Sequence, residues 1–252
     1  MTTTHTCTES GHTKSIHDPA ANRPHTSHPI RALLHDEDLS SPPVTNPTTP
    51  PQPDPGICPE WGGTDPLFGQ LIRQYRPHLV IEVGSWLGAS AITMAQAAEE
   101  ADLDTHILCI DTWLGQTPSW TIKRKDPTFY GALHLWRGYP RLYDHFFQNI
   151  HRYGVAHRIT PFPATSRDAF RTLKYHKINA DLIYIDGSHE REDVAEDLEN
   201  FSRRLNLGGH IFGHDFQMPA VKLSVQAFAQ ERKMEIDEVQ GANGAKFWRL
   251  FQ

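Results

Sequence analysis

Five apolar runs of strand length alternate with segments of helical period from His78 onward: "HLVIEVG", "HILCIDT", "ITPFPAT", "ADLIYIDG" and "GHIFGHD". A strand that is apolar on both faces needs cover on both faces. A helix between successive strands gives that cover and returns the chain for a parallel neighbour. The intervening segments "SAITMAQAAEEA", "SRDAFRTLKYH" and "REDVAEDLENFSRRL" carry their apolar residues at helical spacing. After the fifth run come another helical segment, "PAVKLSVQAFAQERK", and two strand-like runs, "EIDEV" and "AKFWRLF". The link between those two, "QGANG", is too short for a helical crossover, so they pair antiparallel. The expected fold is α/β: a doubly wound, mostly parallel seven-stranded sheet with helices on both faces and a C-terminal antiparallel hairpin.

Residues 1–57 are of different material. The stretch "SSPPVTNPTTPPQPDPG" cannot hold regular hydrogen bonding, because proline removes donors and restricts the residue before it. Thr, His, Ser and Pro dominate, with too few large apolar groups to offset chain entropy. Only "IRALLHDEDL" has the pattern of a short helix, and the histidines (His5, His12, His17, His25, His28, His35) lack metal-ligand spacing. A disordered tail followed by one domain, 58–252, is expected. Inside that domain, 114–140 forms a long aromatic connection, "LGQTPSWTIKRKDPTFYGALHLWRGYP". Such a length in a compact domain is usually functional, here as a lid or substrate-binding insertion, or as the interface of a homo-oligomer. Trp120, Phe129, Tyr130, Trp136 and Tyr139 have the faces to stack on a sugar or an aromatic ring.

A net charge of −6 argues against a nucleic-acid partner, which usually meets a basic face. Lys123-Arg124-Lys125 is the only dense basic cluster and reads as a solvated loop. Cys7, Cys58 and Cys109 lack metal or redox spacing, and Cys109 reads as a small buried hydrophobe. The absence of a disulfide framework suits the cytoplasm. No apolar run is long enough to span a bilayer. The start "MTTTHTCTES" lacks the parts of a secretory signal, although its Thr-rich, acid-poor composition is compatible with a transit peptide.

Chemistry-bearing residues gather at the carboxyl ends of the strand runs, the edge where open parallel sheets bind ligands. The first strand runs into "VIEVGSWLGASA", where Glu82 precedes a turn holding Gly84, Ser85 and Gly88, with Ser90 near the helix start. This is Glu-x-Gly-x-x-x-Gly, not the Gly-x-Gly-x-x-Gly that seats a dinucleotide pyrophosphate. Asp111 and Thr112 end the second strand, where an acid can accept both hydroxyls of a ribose. Trp113 either flanks a base or packs beneath the next loop. Thr165 or Ser166 caps the helix after the third strand. Asp186 and Asp215 end the fourth and fifth strands, within reach of one cation. His189 and His214 stand beside them. For Asp186 the plain alternative is a cap on the following helix; Glu190, Glu192 and Asp193 read as its solvated first turn, and His210 as structural.

With Glu82, Gly84, Gly88 and Asp111 at adjacent strand ends and the terminal hairpin behind them, the region from about Trp61 to Gln252 resembles a class I S-adenosylmethionine-dependent methyltransferase. The motifs "IDGSHEREDV" and "GGHIFGHDF" are similar to those of a bacterial subgroup that includes metal-dependent O-methyltransferases of macrolide sugars. The resemblance implies that Glu82, Gly84 and Gly88 line the methionine moiety, with Ser85 and Ser90 beside them. It also implies that Asp111 with Thr112 holds the ribose and that Ser166 adjoins the adenine. By the same likeness Asp186 and Asp215 bind a divalent metal, magnesium in the subgroup, and His189 is the general base.

This chain departs from the subgroup at His214, which stands where a second acid usually precedes the last aspartate. Imidazole suits softer metals than magnesium. His214 is therefore a ligand for such a metal, or has swung away in favour of water, or belongs to a metal-free site with His189 or His214 as base. The acceptor implied is a hydroxyl on a sugar or other small molecule. The rivals are a scaffold that binds the nucleotide without turnover and an NAD-dependent oxidoreductase. The missing third glycine and the terminal hairpin weigh against the latter.

Overall fold

The computed structural model describes residues 62–121 and 130–251. The proline-rich tail, Lys123 to Lys125 and Phe129 lie outside the described residues. The chain runs α1 (Pro66–Tyr75), β1 (Leu79–Val83), α2 (Ala89–Glu100), β2 (His106–Asp111), α3 (Thr117–Thr121), α4 (Leu142–Arg152) and β3 (Ile159–Pro163). It continues α5 (Ser166–His176), β4 (Ala180–Ile185), α6 (Arg191–Ser202), β5 (Leu205–Gly213), α7 (Pro219–Arg232), β6 (Glu235–Gln240) and β7 (Lys246–Phe251).

The sheet order is β3-β2-β1-β4-β5-β7-β6. The strands from β1 to β5 pair in parallel, and β7 runs antiparallel between β5 and β6. This is the expected seven-stranded sheet with its terminal hairpin. The five residues 241–245 leave the chain no choice but to turn back, which puts β7 against β5.

Alternate residues of each central strand feed two cores. On one face Val80, Leu182, Tyr184 and Phe212 pack with Phe68 and Leu71 of α1, Ala91 and Ala95 of α2 and Phe146 and Ile150 of α4. On the other, Ile81, Val83, Ile183 and Ile185 pack with Leu173 of α5, Leu198 and Phe201 of α6 and Val225 of α7. Two-sided burial explains why the strand runs are apolar throughout.

Two elements differ from the sequence expectation. β5 starts at Leu205, ahead of the "GHIFGHD" run, across a register irregularity opposite Ala180 and Leu182. Helix α1 was not foreseen. Asp65 caps it by accepting from Leu67 N at 2.9 Å, and Pro66 occupies its first position.

The chain builds β1, β2 and β3 outward in one direction and then returns to place β4 on the other side of β1. The loops after β1 and β4 part there and leave a crevice at the carboxyl edge. Gly84 makes the crossing possible. Its φ is 88°, and a Cβ there would lie 2.1 Å from the Asp186 carbonyl oxygen.

Candidate active site

Two adjoining cavities fill this crevice. The larger, about 670 Å³, reaches from Gly84 and Asp111 to the start of α5 at Ser166 and to Asp197 of α6. The smaller, about 360 Å³, lies over the glycine turn and reaches Asp186, His189, His214, Asp215 and Met218. Gly84, Trp86, Asp111, Gln116, Pro118 and His189 line both. Gln116 Nε2 donates to the Gly187 carbonyl at 3.0 Å, which ties the loop after β2 to the loop after β4 across the crevice.

The glycine turn is held from below. Glu82 is fully buried on β1 and accepts from Ser90 Oγ at 2.5 Å and from the Cys109 thiol at 3.3 Å. Burial raises its carboxyl to about 7, although the hydroxyls of Ser85 and Ser90 and the Cys109 thiol pull the other way. Glu82 is absent from the described residues lining the cavities; it supports Ser85 and Ser90, which do line the smaller one. Gly88 serves the packing beside the turn. A Cβ on it would meet the Phe146 ring at 3.0 Å, so it allows α4 to pack and does not border the cavity among the described residues.

Asp111 accepts from Trp86 N at 2.8 Å and from Trp113 N at 2.7 Å, which fixes its carboxylate at the junction of the cavities. Burial raises its pKa, and these backbone donors offset part of the rise. Thr112 lines the larger cavity beside it. The Trp113 alternatives are decided: the ring is 2% exposed, donates to the Trp86 carbonyl at 2.7 Å and rests on Tyr143 and Phe146. It packs beneath the loop. Thr165 caps α5 by accepting from Asp168 N at 3.1 Å, so Ser166 is spared that task and lines the larger cavity.

Asp186 does not cap α6, whose N-cap is Glu190. The Asp186 carboxylate accepts instead from the buried Tyr184 hydroxyl at 2.7 Å. Tyr184 is itself fixed between Phe68 and Phe212, at ring separations of 5.0 and 4.7 Å. His189 Nε2 lies 2.6 Å from Asp215 Oδ2, and Gln217 Nε2 donates to Asp215 Oδ1 at 2.8 Å. The bond to Asp215 raises the His189 pKa against the opposing effect of burial. Asp215 would be raised by burial, but the hydrogen bonds from His189 and His214 hold it well below the usual carboxylate range.

His214 Nδ1 stands 3.4 Å from Asp215 Oδ2 and 3.8 Å from Asp186 Oδ1. Burial opposes its charge, yet the two carboxylates outweigh burial and push the imidazole up to about 10. Its Nε2 is buried with no hydrogen-bond partner among the described residues. A Cβ on Gly62 would lie 3.3 Å from that atom.

Both imidazoles stand near the carboxylates expected to hold a divalent ion, His214 with Nδ1 3.4 Å from Asp215 and 3.8 Å from Asp186. The structure brings ligand atoms of Asp186, His189 and Asp215 within 4.8 Å of one another. A ligating imidazole normally donates its second N–H to an outer acceptor, which His214 Nε2 lacks among the described residues. Two carboxylates and an imidazole fit a divalent transition metal better than magnesium.

The aromatics of the long connection were read as a stacking surface for an acceptor or as an interface between subunits. Trp120 donates to the Leu114 carbonyl and meets Tyr130 edge-on, while Arg137 covers Trp136 and Tyr139 is 65% exposed. Among the described residues of this connection, Gly115 to Ser119 line the cavities. Gln116, Gly63, Met218, Tyr184 and Asp197 were not singled out from sequence. The five-residue spacing of Asp186 and Arg191 and the repeating acids of "EDVAEDL" gave no sign that Asp197 faces inward.

An open α/β sheet with an antiparallel β7 and an acid at the β2 end over a glycine turn is the architecture of class I S-adenosylmethionine-dependent methyltransferases. A family model described as a methyltransferase domain matches residues 81–216, and the chain belongs to that family. The solved O-methyltransferase NovP is 15% identical with a TM-score of 0.54, over 73% of this chain and 79% of that one. The Bacillus cereus O-methyltransferase in complex with SAH is 14% identical with a TM-score of 0.53, over 80% and 84%. TomG of Streptomyces achromogenes, an O-methyltransferase of tomaymycin synthesis in complex with SAM, is 16% identical with a TM-score of 0.52, over 79% and 83%. At these identities the likeness is one of fold. In sequence, protein y4gI of Sinorhizobium fredii is 25% identical over 158 residues, 63% of this chain and 15% of that protein. The chain thus spans about a seventh of that relative.

Proposed function

We propose that the domain transfers the methyl group of S-adenosylmethionine to a hydroxyl oxygen of a small-molecule acceptor, a sugar or another hydroxylated metabolite. The observation that carries this is the 2.6 Å contact of His189 with Asp215 on the wall of the methyl-transfer cavity. With Nε2–H donated to Asp215, the His189 Nδ1 lone pair is free to take the acceptor proton. The acceptor oxygen then attacks the sulfonium methyl in line. A C–O bond forms, the C–S bond breaks and its electron pair returns to sulfur, leaving neutral S-adenosylhomocysteine. Asp215 stabilises the imidazolium that forms.

Asp111 holds the ribose hydroxyls. Ser85 and Ser90, kept in place by Glu82, meet the methionine part, and Gly84 lets both approach the backbone. Asp186 and Asp215 would hold a divalent metal, whose chemistry is to orient adjacent hydroxyls and lower their pKa, with His189 kept outside its shell as the base. Tyr184 fixes Asp186 in either case. Among the described residues no helix is long and apolar enough to cross a membrane. The scattered cysteines support a cytoplasmic setting.

The test is calorimetric titration with S-adenosylmethionine, S-adenosylhomocysteine and NAD, followed by a screen of glycosides and catechols for methylation. Binding of both sulfur nucleotides without NAD, and turnover lost in His189→Ala, are expected. A folded protein that binds neither sulfur nucleotide overturns the reading. One that binds them but methylates no acceptor favours the scaffold.

A further inference from the structure

The outer side of α4 is not built like an ordinary surface helix. Its inner side is committed to the core through Leu142, Phe146 and Ile150. The side turned away from that core should then be polar. Instead Tyr143 and Phe147 are 36% and 44% exposed and stand about one turn apart, with His151 exposed a turn further on. Their rings form a ladder: Tyr143 lies nearly parallel to Phe147 at 6.1 Å, and Phe147 meets His151 at 4.6 Å. Trp113 holds the first rung, edge-on to Tyr143 at 5.1 Å. Exposed Tyr139 and Tyr153 flank the helix in sequence. A contiguous apolar strip of this kind marks a binding surface.

The chain carries a segment of matching chemistry. Seven of the fourteen residues from Pro42 to Pro55 are proline, and Asp54 is the only charge among them. Such a sequence favours the polyproline II helix, with three residues per turn. Pro47, Pro50 and Pro53 recur at that period and so share one edge. Prolines presented this way dock between aromatic rings at small entropic cost, because the helix is extended beforehand. The segment is also tethered close by. Gly63 enters the domain against the start of α2: its carbonyl accepts from Thr93 Oγ1 at 2.9 Å, and a Cβ on it would lie 2.6 Å from that of Ala89. Gly88, next to Ala89, lies against the Phe146 ring of α4. The ladder is about one helix diameter beyond that contact, roughly 10–12 Å. The nine steps from Pro53 to Gly62 reach up to about 30 Å when extended.

We propose that residues 42–55 dock in cis on the outer side of α4, with the edge formed by Pro47, Pro50 and Pro53 laid against the rings of Tyr143, Phe147 and His151. The N-terminal segment thus covers a strip that the folded domain leaves open to water. The inference is independent of what the cavities bind.

The test places a nitroxide on the full chain through Thr48→Cys, with Cys7→Ser and Cys58→Ser; Cys109 is fully buried and stays unlabelled. Relaxation of the backbone amides is then read by NMR. Broadening concentrated at Tyr143, Phe147 and His151 is expected. Pro47→Ser, Pro50→Ser and Pro53→Ser together leave the folded domain untouched and should cut that excess about fivefold, and Phe147→Ser should do the same. Broadening spread evenly over the surface overturns the proposal, as does a pattern that survives the proline replacements. Mixing nitroxide-bearing chain with isotope-enriched, unlabelled chain tests the rival occupant. Broadening carried from one chain to the other makes a second copy the partner and overturns docking in cis.

Discussion

His189 and Asp215 meet at 2.6 Å although they follow different strands, β4 and β5. The register of those strands, with Ile185 beside Gly213, brings the two loops to one height on the rim. Asp215 adopts φ 57°, a left-handed turn that aspartate tolerates, and so turns back toward His189. The dyad is thus assembled by the sheet.

If His189 is the base, its neutral form is the active one. Its pKa is raised, so kcat/KM should increase with pH through a value above the ordinary 6.5. His189→Ala should lower kcat by roughly 10²–10⁴-fold. Asp215→Asn removes the main cause of the shift and should move the acidic limb to lower pH while slowing turnover. A pH–rate series on the three proteins checks this; a limb that stays in place in Asp215→Asn would rule out the dyad.

Metal binding should depend on His214, whose charge already opposes a cation between Asp186 and Asp215. Because carboxylate contacts raise that imidazole to about 10, affinity for manganese or zinc should climb as pH rises toward that value. His214→Asp replaces the imidazole with a hard oxygen donor and should improve magnesium binding on the order of tenfold. Isothermal titration of each metal, with and without chelator treatment, decides the matter. Metal affinities independent of pH and of His214 would contradict it.

Glu82 predicts a conflict between stability and cofactor binding. Its pKa goes from 4.5 to about 7 on burial, so the folded chain holds this proton more tightly than the unfolded chain. The stability it contributes is fully present below pH 4.5 and is lost as pH rises through about 7. The loss is roughly 3 kcal/mol. Glu82→Gln should flatten that dependence, raise Tm at pH 8 and weaken S-adenosylmethionine binding through Ser90. Thermal unfolding across pH, read beside calorimetry, checks both halves. A Tm that falls at pH 8 would show that the charged form is favoured by the fold.

Gly84→Ala should disable the cofactor and catalytic ends together. An alanine has to adopt a φ of 88° and clear the Asp186 carbonyl at 2.1 Å, and neither wall is a flexible side chain. The φ alone costs about 1–2 kcal/mol, before any displacement of β4. Urea unfolding should show the loss, and surviving protein should lose nucleotide affinity as well as turnover. Unchanged unfolding would mean that the two loops separate freely.

The fold was legible because its signal is repeated: each central strand is buried on both faces and each helix is amphipathic. The short "QGANG" link forced the hairpin. Asp111, Asp186, His189 and Asp215 were legible as strand-end residues, since strand ends set their height on the rim. Other roles depend on direction across the sheet, which a linear pattern does not carry. Gly88 resembles a ligand-binding glycine but faces Phe146, and Trp113 resembles a base-stacking ring but lies under the loop. Asp197 resembles one more acid on a solvated helix. How the two imidazoles divide the carboxylates was also beyond the pattern, because they enter from different loops: His189 bonds Asp215, while His214 faces both Asp186 and Asp215.

The bond from Gln116 to the Gly187 carbonyl crosses the mouth of the crevice like a bar across a doorway. It lies where the two cavities adjoin, since Gln116 lines both and Gly187 lines the larger. It is one neutral hydrogen bond, worth about 0.5–1.5 kcal/mol net, so thermal motion is enough to part the two loops. The two sides of the crevice are thus joined by a latch and not a weld, and the loop after β2 can part from the loop after β4 without disturbing the sheet that carries both.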